Sequence, residues 1–290
     1  MKRIHGVFYA MLSAAAFGVM PILAKLAYDE GANAVTVLTL RFFFAALMIL
    51  PIMIGKKISF KITKKEVRDL FILGGGNYSV GCLTLFLAYN YMSVGLATTI
   101  HFIYPVVVTI VSVIFFKEKL KKTKIFALIL SCTGIYLLVG GGNVTLAPMG
   151  VLFAVISGFF YAFYIVAAGN SSIGKMNVFS ATFYLSVASS IILFTSAMCT
   201  SNFVISINPY AIVAIVGISF ISTVIALMAF LKGVKIIGAS NAAVLSTLEP
   251  IVSIVLGVII LKEKITPIII LGSILILVSV VIITLGEKRD

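Results

Sequence analysis

Leu245-Ser-Thr-Leu-Glu-Pro-Ile-Val-Ser-Ile-Val-Leu-Gly-Val-Ile-Ile-Leu-Lys-Glu-Lys264 is an apolar run that carries one carboxylate beside a proline and closes on a Lys-Glu-Lys stop. A degraded copy, Phe102-Ile-Tyr-Pro-Val-Val-Val-Thr-Ile-Val-Ser-Val-Ile-Phe-Phe-Lys-Glu-Lys119, stands 145 residues upstream. Pro105 therefore matches Pro250, and Lys117-Glu118-Lys119 matches Lys262-Glu263-Lys264. A second echo, at a spacing of 144, pairs Gly6, Ala10, Ser13 and Phe17 with Gly150, Ala154, Ser157 and Tyr161. The chain reads as one unit written twice, residues 1–145 and 146–290, and the only acid inside an apolar run, Glu249, belongs to the second copy.

Composition sets the solvent. With 61% hydrophobic residues, 11% charged residues and a mean hydropathy of +1.21, the chain lies far above the roughly half-apolar norm of water-soluble domains. A soluble fold would have to hide nearly every residue, and a chain of 290 residues has too much surface for that. The formal charge of +13 invites a nucleic-acid partner. The basic residues instead fall in short loops between apolar runs, where they act as topology signals and form no phosphate-binding face. Cys82, Cys132 and Cys199 lie scattered in apolar runs without metal-ligand spacing, so they read as packing residues, and neither metal nor cofactor is implied. Met1-Lys-Arg3 precedes an apolar run with no small-residue cleavage site, the pattern of a retained first span.

About twenty apolar residues cross the hydrocarbon layer. Spans are expected at about 4–27, 33–55, 69–91, 95–116, 125–141, 149–169, 177–199, 209–231, 238–261 and 267–286, which makes an all-α polytopic membrane protein of ten transmembrane helices. Polar breaks support the cuts: Asp29-Glu-Gly31, Gly140-Gly-Gly-Asn143, Asn170-Ser-Ser-Ile-Gly174, and Asn208-Pro209, an N-cap with proline in the first turn.

Orientation follows from the cations. With the N-terminus in the cytoplasm, the inner segments hold Lys2, Arg3, Lys56, Lys57, Lys61, Lys64, Lys65, Arg68, Lys117, Lys119, Lys121, Lys122, Lys124, Lys175, Lys232, Lys235, Lys288 and Arg289. Only Lys262 and Lys264 fall outside, with Lys25 and Arg41 in or near spans, so both termini are expected inside. Five helices per copy is an odd number, so the second copy enters the membrane upside down. That explains why one Lys-Glu-Lys faces inward and its twin outward. Inverted repeats around a central cavity are the signature of secondary transporters.

These features resemble the drug/metabolite transporter superfamily, specifically its EamA-like permeases. The resemblance rests on ten spans in two halves, Leu248-Glu-Pro250 followed by Lys-Glu-Lys, Arg41 in the second span, and a Gly- or Ser-bearing helix after each Lys-Glu motif. It implies a basket-shaped bundle with a cavity built from spans 1, 3, 4, 6, 8 and 9, and a small-molecule permease; members move amino acids, nucleotide sugars, triose phosphates, drugs and other metabolites. Tyr104-Pro105 stands where the second half has Glu249-Pro250, so chemistry at Glu249 is not duplicated.

Glu249 lies near the middle of span nine, where an ionised acid costs about 2.5–3.5 kcal/mol on insertion scales and is expected to face protein or water. Ser246, Glu249, Ser253 and Gly257 share one helical stripe. The acid is either a proton or substrate-amine site or a structural carboxylate bonded to a neighbouring helix. His101, the twin of Ser246, has Tyr104 and Ser112 on its stripe; it either couples to protons or contacts substrate, or is a neutral histidine satisfied by a tyrosine or a carbonyl. Arg41 reads as a structural pin of the first half through bonds to carbonyls, with substrate binding as its other reading, and Lys25 as a side chain that snorkels outward and that, turned inward, would favour an anionic substrate. Asn77, Tyr78 and Gly81, and Ser157, Tyr161 and Tyr164, are spaced to sit near the cavity. Asn77 and Tyr161 join His101, Tyr104, Ser246 and Glu249 as candidate substrate contacts, because polar tips need partners in a dry bundle.

The function that fits is a secondary permease or exporter in the plasma membrane, moving an amino acid or related metabolite by alternating access. Its partners are that small molecule, the lipid bilayer and, at Glu249 and His101, protons; the oligomeric state is left open. The alternatives are a lipid-modifying membrane enzyme, for which two histidines and one intramembrane acid are a thin inventory, and a non-transporting subunit, for which no loop leaves room for a domain.

Overall fold

A computed structural model describes residues 2–92, 94–117, 121–140, 147–261 and 267–288. The described residues contain no strand, and their helices form ten successive runs. The first is α1 (Lys2–Gly18) and α2 (Met20–Asp29); the second α3 (Ala34–Gly55); the third α4 (Lys64–Asp69), a π-helical segment Leu70–Gly76 and α5 (Asn77–Ala88). The fourth is α6 (Val94–His101) and α7 (Tyr104–Phe116), and the fifth α8 (Lys122–Gly140). The second half repeats the plan with α9 (Pro148–Asn170), then α10 (Val178–Cys199), then α11 (Pro209–Ile218) joined through a π-helical segment Ser219–Ile225 to α12 (Ala226–Ile237). It closes with α13 (Ala239–Leu245), a 3-10 turn Ser246–Leu248, α14 (Glu249–Leu261) and α15 (Pro267–Lys288).

Six runs among the described residues are continuous and apolar enough to cross a membrane: Arg3–Asp29, Ala34–Gly55, Lys64–Ala88, Pro148–Asn170, Val178–Cys199 and Pro209–Ile237. Their outer faces carry large apolar side chains that water would penalise, among them Ile54, Ile72 and Val213. The boundaries have local causes. Asn33 and Asn208 cap α3 and α11 by accepting from the Thr36 and Tyr210 amides, and Pro209 occupies a first-turn position where its missing N–H leaves no gap. After α2 the chain turns at Gly31, whose φ of +87° favours glycine.

The third run begins five residues before the expected start. Thr63 and Glu66 form a capping box, each side chain bonded to the other's backbone amide, and this winds the charged stretch Lys64–Asp69 into helix. Gly74-Gly75-Gly76 closes the π-helical segment, and at Gly75 a Cβ would lie 2.8 Å from the Ala188 Cβ. Lys117 ends α7 with φ +53°. The rest of both Lys-Glu-Lys stops, and most of the Gly140–Asn143 break, lie outside the described residues.

Packing pairs the runs in a pattern. The most extensive contacts join α8 to α15, α3 to α10, α1 to α12 and α5 to α9. Exchanging the runs of residues 1–145 for those of 146–290 maps this set onto itself. The two runs that break in the middle obey the same rule. α6 gives way to α7 at Phe102-Ile103, and α13 to α14 at Ser246–Leu248, so each second piece starts at a matched position, Tyr104-Pro105 and Glu249-Pro250. Proline has no N–H to offer to the preceding turn, which is why both helices part there. Each break rests on a glycine from the other half. A Cβ at Gly158 would lie 2.6 Å from Ile103 Cγ2 and 2.8 Å from the His101 carbonyl oxygen; one at Gly18 would lie 2.9 Å from the Glu249 carbonyl oxygen.

Gly158→Ala is expected to lower the unfolding temperature in detergent, since a methyl against backbone forces the broken run away from α9 at a cost of about 1–3 kcal/mol. Gly55→Ala, where a Cβ meets nothing within 4 Å, serves as the control and leaves it unchanged or slightly raised. Equal midpoints for the two variants would show that the Gly158 contact does not hold the break.

Candidate functional site

The breaks bring polar groups to one place. Between them lies a cavity of about 30 Å³ lined by Phe17 and Met20 of the first run, Arg41 of α3, Tyr78, Gly81, Cys82 and Leu85 of α5, His101 of α6, Tyr161 of α9 and Glu249 of α14. That volume admits about two water molecules. Metabolite pockets are roughly tenfold larger, so in this conformation the site leaves no room for a metabolite.

Arg41 is wholly buried, and four of its five N–H donors are engaged by the protein. Its Nε donates to Thr223 Oγ1 at 2.8 Å, Nη2 to the Ser222 carbonyl at 3.2 Å and to the Tyr78 hydroxyl at 3.3 Å, and Nη1 to Met20 Sδ at 3.2 Å. Two of these partners stand in the π-helical segment Ser219–Ile225, where the widened turn presents the Ser222 carbonyl to the guanidinium. The expectation that Arg41 pins only the first half is corrected accordingly, because it ties α3 across to the second half.

Glu249 opens the third piece of its run with its carboxylate toward the cavity. It is 8% exposed, and no hydrogen bond or ion pair to its side chain is formed among the described residues. His101, 7% exposed, is held by Ser157 Oγ at 2.7 Å from Nδ1 and lies between the rings of Tyr104 and Tyr161, with centroids 5.1 and 5.2 Å away. Nε2 makes no protein hydrogen bond among the described residues. Below it, Tyr161, Tyr78 and Tyr164 pack at 4.6–6.0 Å into an aromatic floor. The site thus presents a fixed cation, a carboxylate without a protein partner, an oriented imidazole and ring faces.

Of the residues singled out from the sequence, Arg41, Tyr78, Gly81, His101, Tyr161 and Glu249 meet at this cavity. Tyr104 lies behind the lining, fully buried, its hydroxyl without a hydrogen-bond partner among the described residues and its ring edge-on to Tyr161 at 4.9 Å. Ser246 does not reach the cavity: the 3-10 turn rotates it away from Glu249, and its hydroxyl donates to the Ala242 carbonyl at 3.0 Å. Asn77 is also off the lining. The stripe is Tyr78, Gly81, Cys82 and Leu85, and a residue one position earlier sits about 100° round the helix. Lys25 is exposed, as snorkelling requires. Sequence reasoning missed Met20, Leu85 and Cys82, the last read as packing. Phe17 was visible only as the repeat partner of Tyr161, and both line the cavity.

The sequence profile of the EamA-like transporter family matches the chain twice, over residues 4–140 and 148–285. An uncharacterized transporter of Archaeoglobus fulgidus is 27% identical over 98% of this chain and 87% of its own length. The uncharacterized transporter YcbK of Bacillus subtilis is 25% identical over 92% of this chain and 88% of its own. Human solute carrier family 35 member G1 is 34% identical over 46% of the chain, a stretch that spans 36% of that protein. A crystal structure superposes with a TM-score of 0.80 at 18% identity over 98% of both chains, a likeness of fold.

Arg41→Met keeps the bulk but leaves the Tyr78 hydroxyl, the Thr223 hydroxyl and the Ser222 carbonyl short of a partner. A loss on the order of 2–4 kcal/mol is expected, read as a lower unfolding temperature in detergent. An unchanged midpoint would show that the guanidinium is not a tie between the halves.

Proposed function

Because the chain belongs to the EamA-like transporter family, a family of multi-pass membrane carriers, we propose that it is a secondary permease or exporter for a small zwitterionic metabolite, an amino acid or related compound. The observation that carries this reading is the pair of opposite charges on one cavity. Arg41 offers a guanidinium to a carboxylate, Glu249 a carboxylate to an amine, and Tyr161 a ring face to an apolar side chain. A desolvated charge binds strongly only to a partner that replaces its lost hydration, so a zwitterion of matching length is favoured over a neutral solute. The names of the relatives, transporters all, support the general reading and leave the substrate to the site.

The mechanism proposed is alternating access by two inverted units, residues 1–145 and 146–290, in the plasma membrane with both termini cytoplasmic. The matched breaks at Tyr104-Pro105 and Glu249-Pro250 support it. A run divided at mid-depth can tilt each piece separately, and the self-mapping contact pattern gives the two halves equivalent packings to exchange. A cavity of about 30 Å³ is then an occluded state, from which either set of half-runs must swing to admit a solute. Glu249 and His101 are the proposed proton-coupling groups. Glu249 exchanges between proton and substrate amine, while the Ser157 bond fixes the His101 ring so that Nε2 faces the solute.

In proteoliposomes, radiolabelled amino acids are expected to exchange against unlabelled substrate, with a rate that varies with pH. Glu249→Gln is expected to insert normally, to slow transport and to flatten the pH profile. A profile equal to wild type at every pH would reduce Glu249 to scaffold. His101→Asn is expected to raise KM several-fold with little change in the amount of folded protein. Loss of folding with an unchanged KM in the residual fraction would count against a substrate contact. No exchange of any amino acid would remove the proposed substrate class.

A further inference from the structure

A second concavity lies outside the bundle. It runs between α3 and α10, is lined by Phe43, Ala46, Leu47, Leu50, Phe183, Val187, Ser190 and Ile191, and at about 250 Å³ is far larger than the central cavity. Phe43, Leu47 and Ile191 are each close to half exposed, so the groove opens toward the membrane. Its one polar side chain, Ser190, donates to the Thr39 carbonyl at 3.2 Å and leaves the wall with nothing to offer but apolar surface. Phe183 also packs against a small core separate from the main one, Ala45, Ile49, Met53 and Val224.

What stands at one end decides the occupant. Past Leu50, α3 runs on to Gly55 and into a segment bearing Lys56, Lys57, Lys61, Lys64 and Lys65, all exposed. Six residues of helix rise about 9 Å, which puts Lys56 one short step beyond the groove. Two contacts hold the segment at that mouth. The Phe60 ring meets the groove residue Phe183 edge-on at 6.1 Å, and the Tyr184 hydroxyl donates to the Phe60 carbonyl at 2.6 Å. Lys56 Nζ lies 5.8 Å from the centroid of Phe179, in the first turn of α10. The two nearby acids are engaged elsewhere, Glu66 in the Thr63 cap and Asp69 with Arg68 and Ser172. No ion pair to these five lysines is formed among the described residues.

We propose that this groove is a binding site for an anionic glycerophospholipid, one acyl chain lying between α3 and α10 and the phosphate on Lys56 and Lys57. Charge complementarity selects the class. A zwitterionic lipid fills the groove equally well but leaves the lysines facing its own cation, whereas an anionic headgroup gains from each of them. The site is distinct from the central cavity and does not depend on what that cavity carries.

The test uses the full-length protein in detergent, with phosphatidylglycerol and phosphatidylcholine of identical chains as probes, read by thermal shift and by native mass spectrometry. Phosphatidylglycerol is expected to stabilise more and to stay bound at higher activation. Lys56→Gln with Lys57→Gln is expected to cut that preference about tenfold while both lipids still bind. Leu47→Trp, at a half-exposed position, is expected to fill the groove and weaken both lipids without lowering the lipid-free midpoint. Equal stabilisation of the wild type by the two lipids would overturn the proposal, as would a preference that survives both variants. A dimer that Leu47→Trp dissociates, with lipid binding unchanged, would assign the groove to a second copy of the chain instead.

Discussion

Hydrocarbon offers no partner to a backbone amide or carbonyl, so a helix can part at mid-membrane only where protein covers the gap. Both broken runs meet that condition in the same way. Phe102-Ile103 lies on α9 at Gly158, and the first turn of α14 after the Ser246–Leu248 break lies over the first run at Gly18, where Ser253 also donates to the Gly18 carbonyl at 2.9 Å. The prolines make the breaks and the glycines shelter them. The cavity follows, because two interrupted helices laid side by side cannot fill the space that two intact ones would.

The charges follow from the same constraint. A guanidinium placed among apolar helices needs several acceptors at once, and Arg41 finds them on three different runs through its fork of donors. The widened π-helical turn supplies a carbonyl that regular helix would have kept for itself. Glu249 is the opposite case. It stands beside the same cavity with no hydrogen-bond donor among the described residues, and a buried acid in that condition marks a place where something else completes the contacts.

Much of this was legible in the chain. Ten apolar runs, the Asn208-Pro209 start and the equivalence of Phe17 with Tyr161 all come from local pattern and repeat spacing, and all recur in the structure. What stayed hidden depends on contacts that spacing does not encode. The Ser157 bond to His101 joins residues 56 apart, and the Arg41 bond to Thr223 joins residues 182 apart. The charged turn Lys64–Asp69 was taken for loop because hydropathy sees its lysines and not the Thr63–Glu66 box that caps it. Asn77 and Ser246 were misplaced by phase. Each sits next to an irregular turn, and a fraction of a turn is enough to point a side chain away from the cavity.

The bond between Ser157 and His101 has no counterpart in the other half. The matched pair is Ser13 and Ser246, and there Ser13 Oγ has no hydrogen-bond partner among the described residues while Ser246 bonds within its own helix. A carrier assembled from two identical inverted halves would have degenerate end states, each the mirror of the other in energy as in shape. Here the imidazole and the carboxylate each occur once, so that degeneracy is lifted. Under the alternating access proposed above, the empty protein would then rest more often facing one compartment, although no such asymmetry can move the equilibrium distribution of a solute that is not coupled to another gradient.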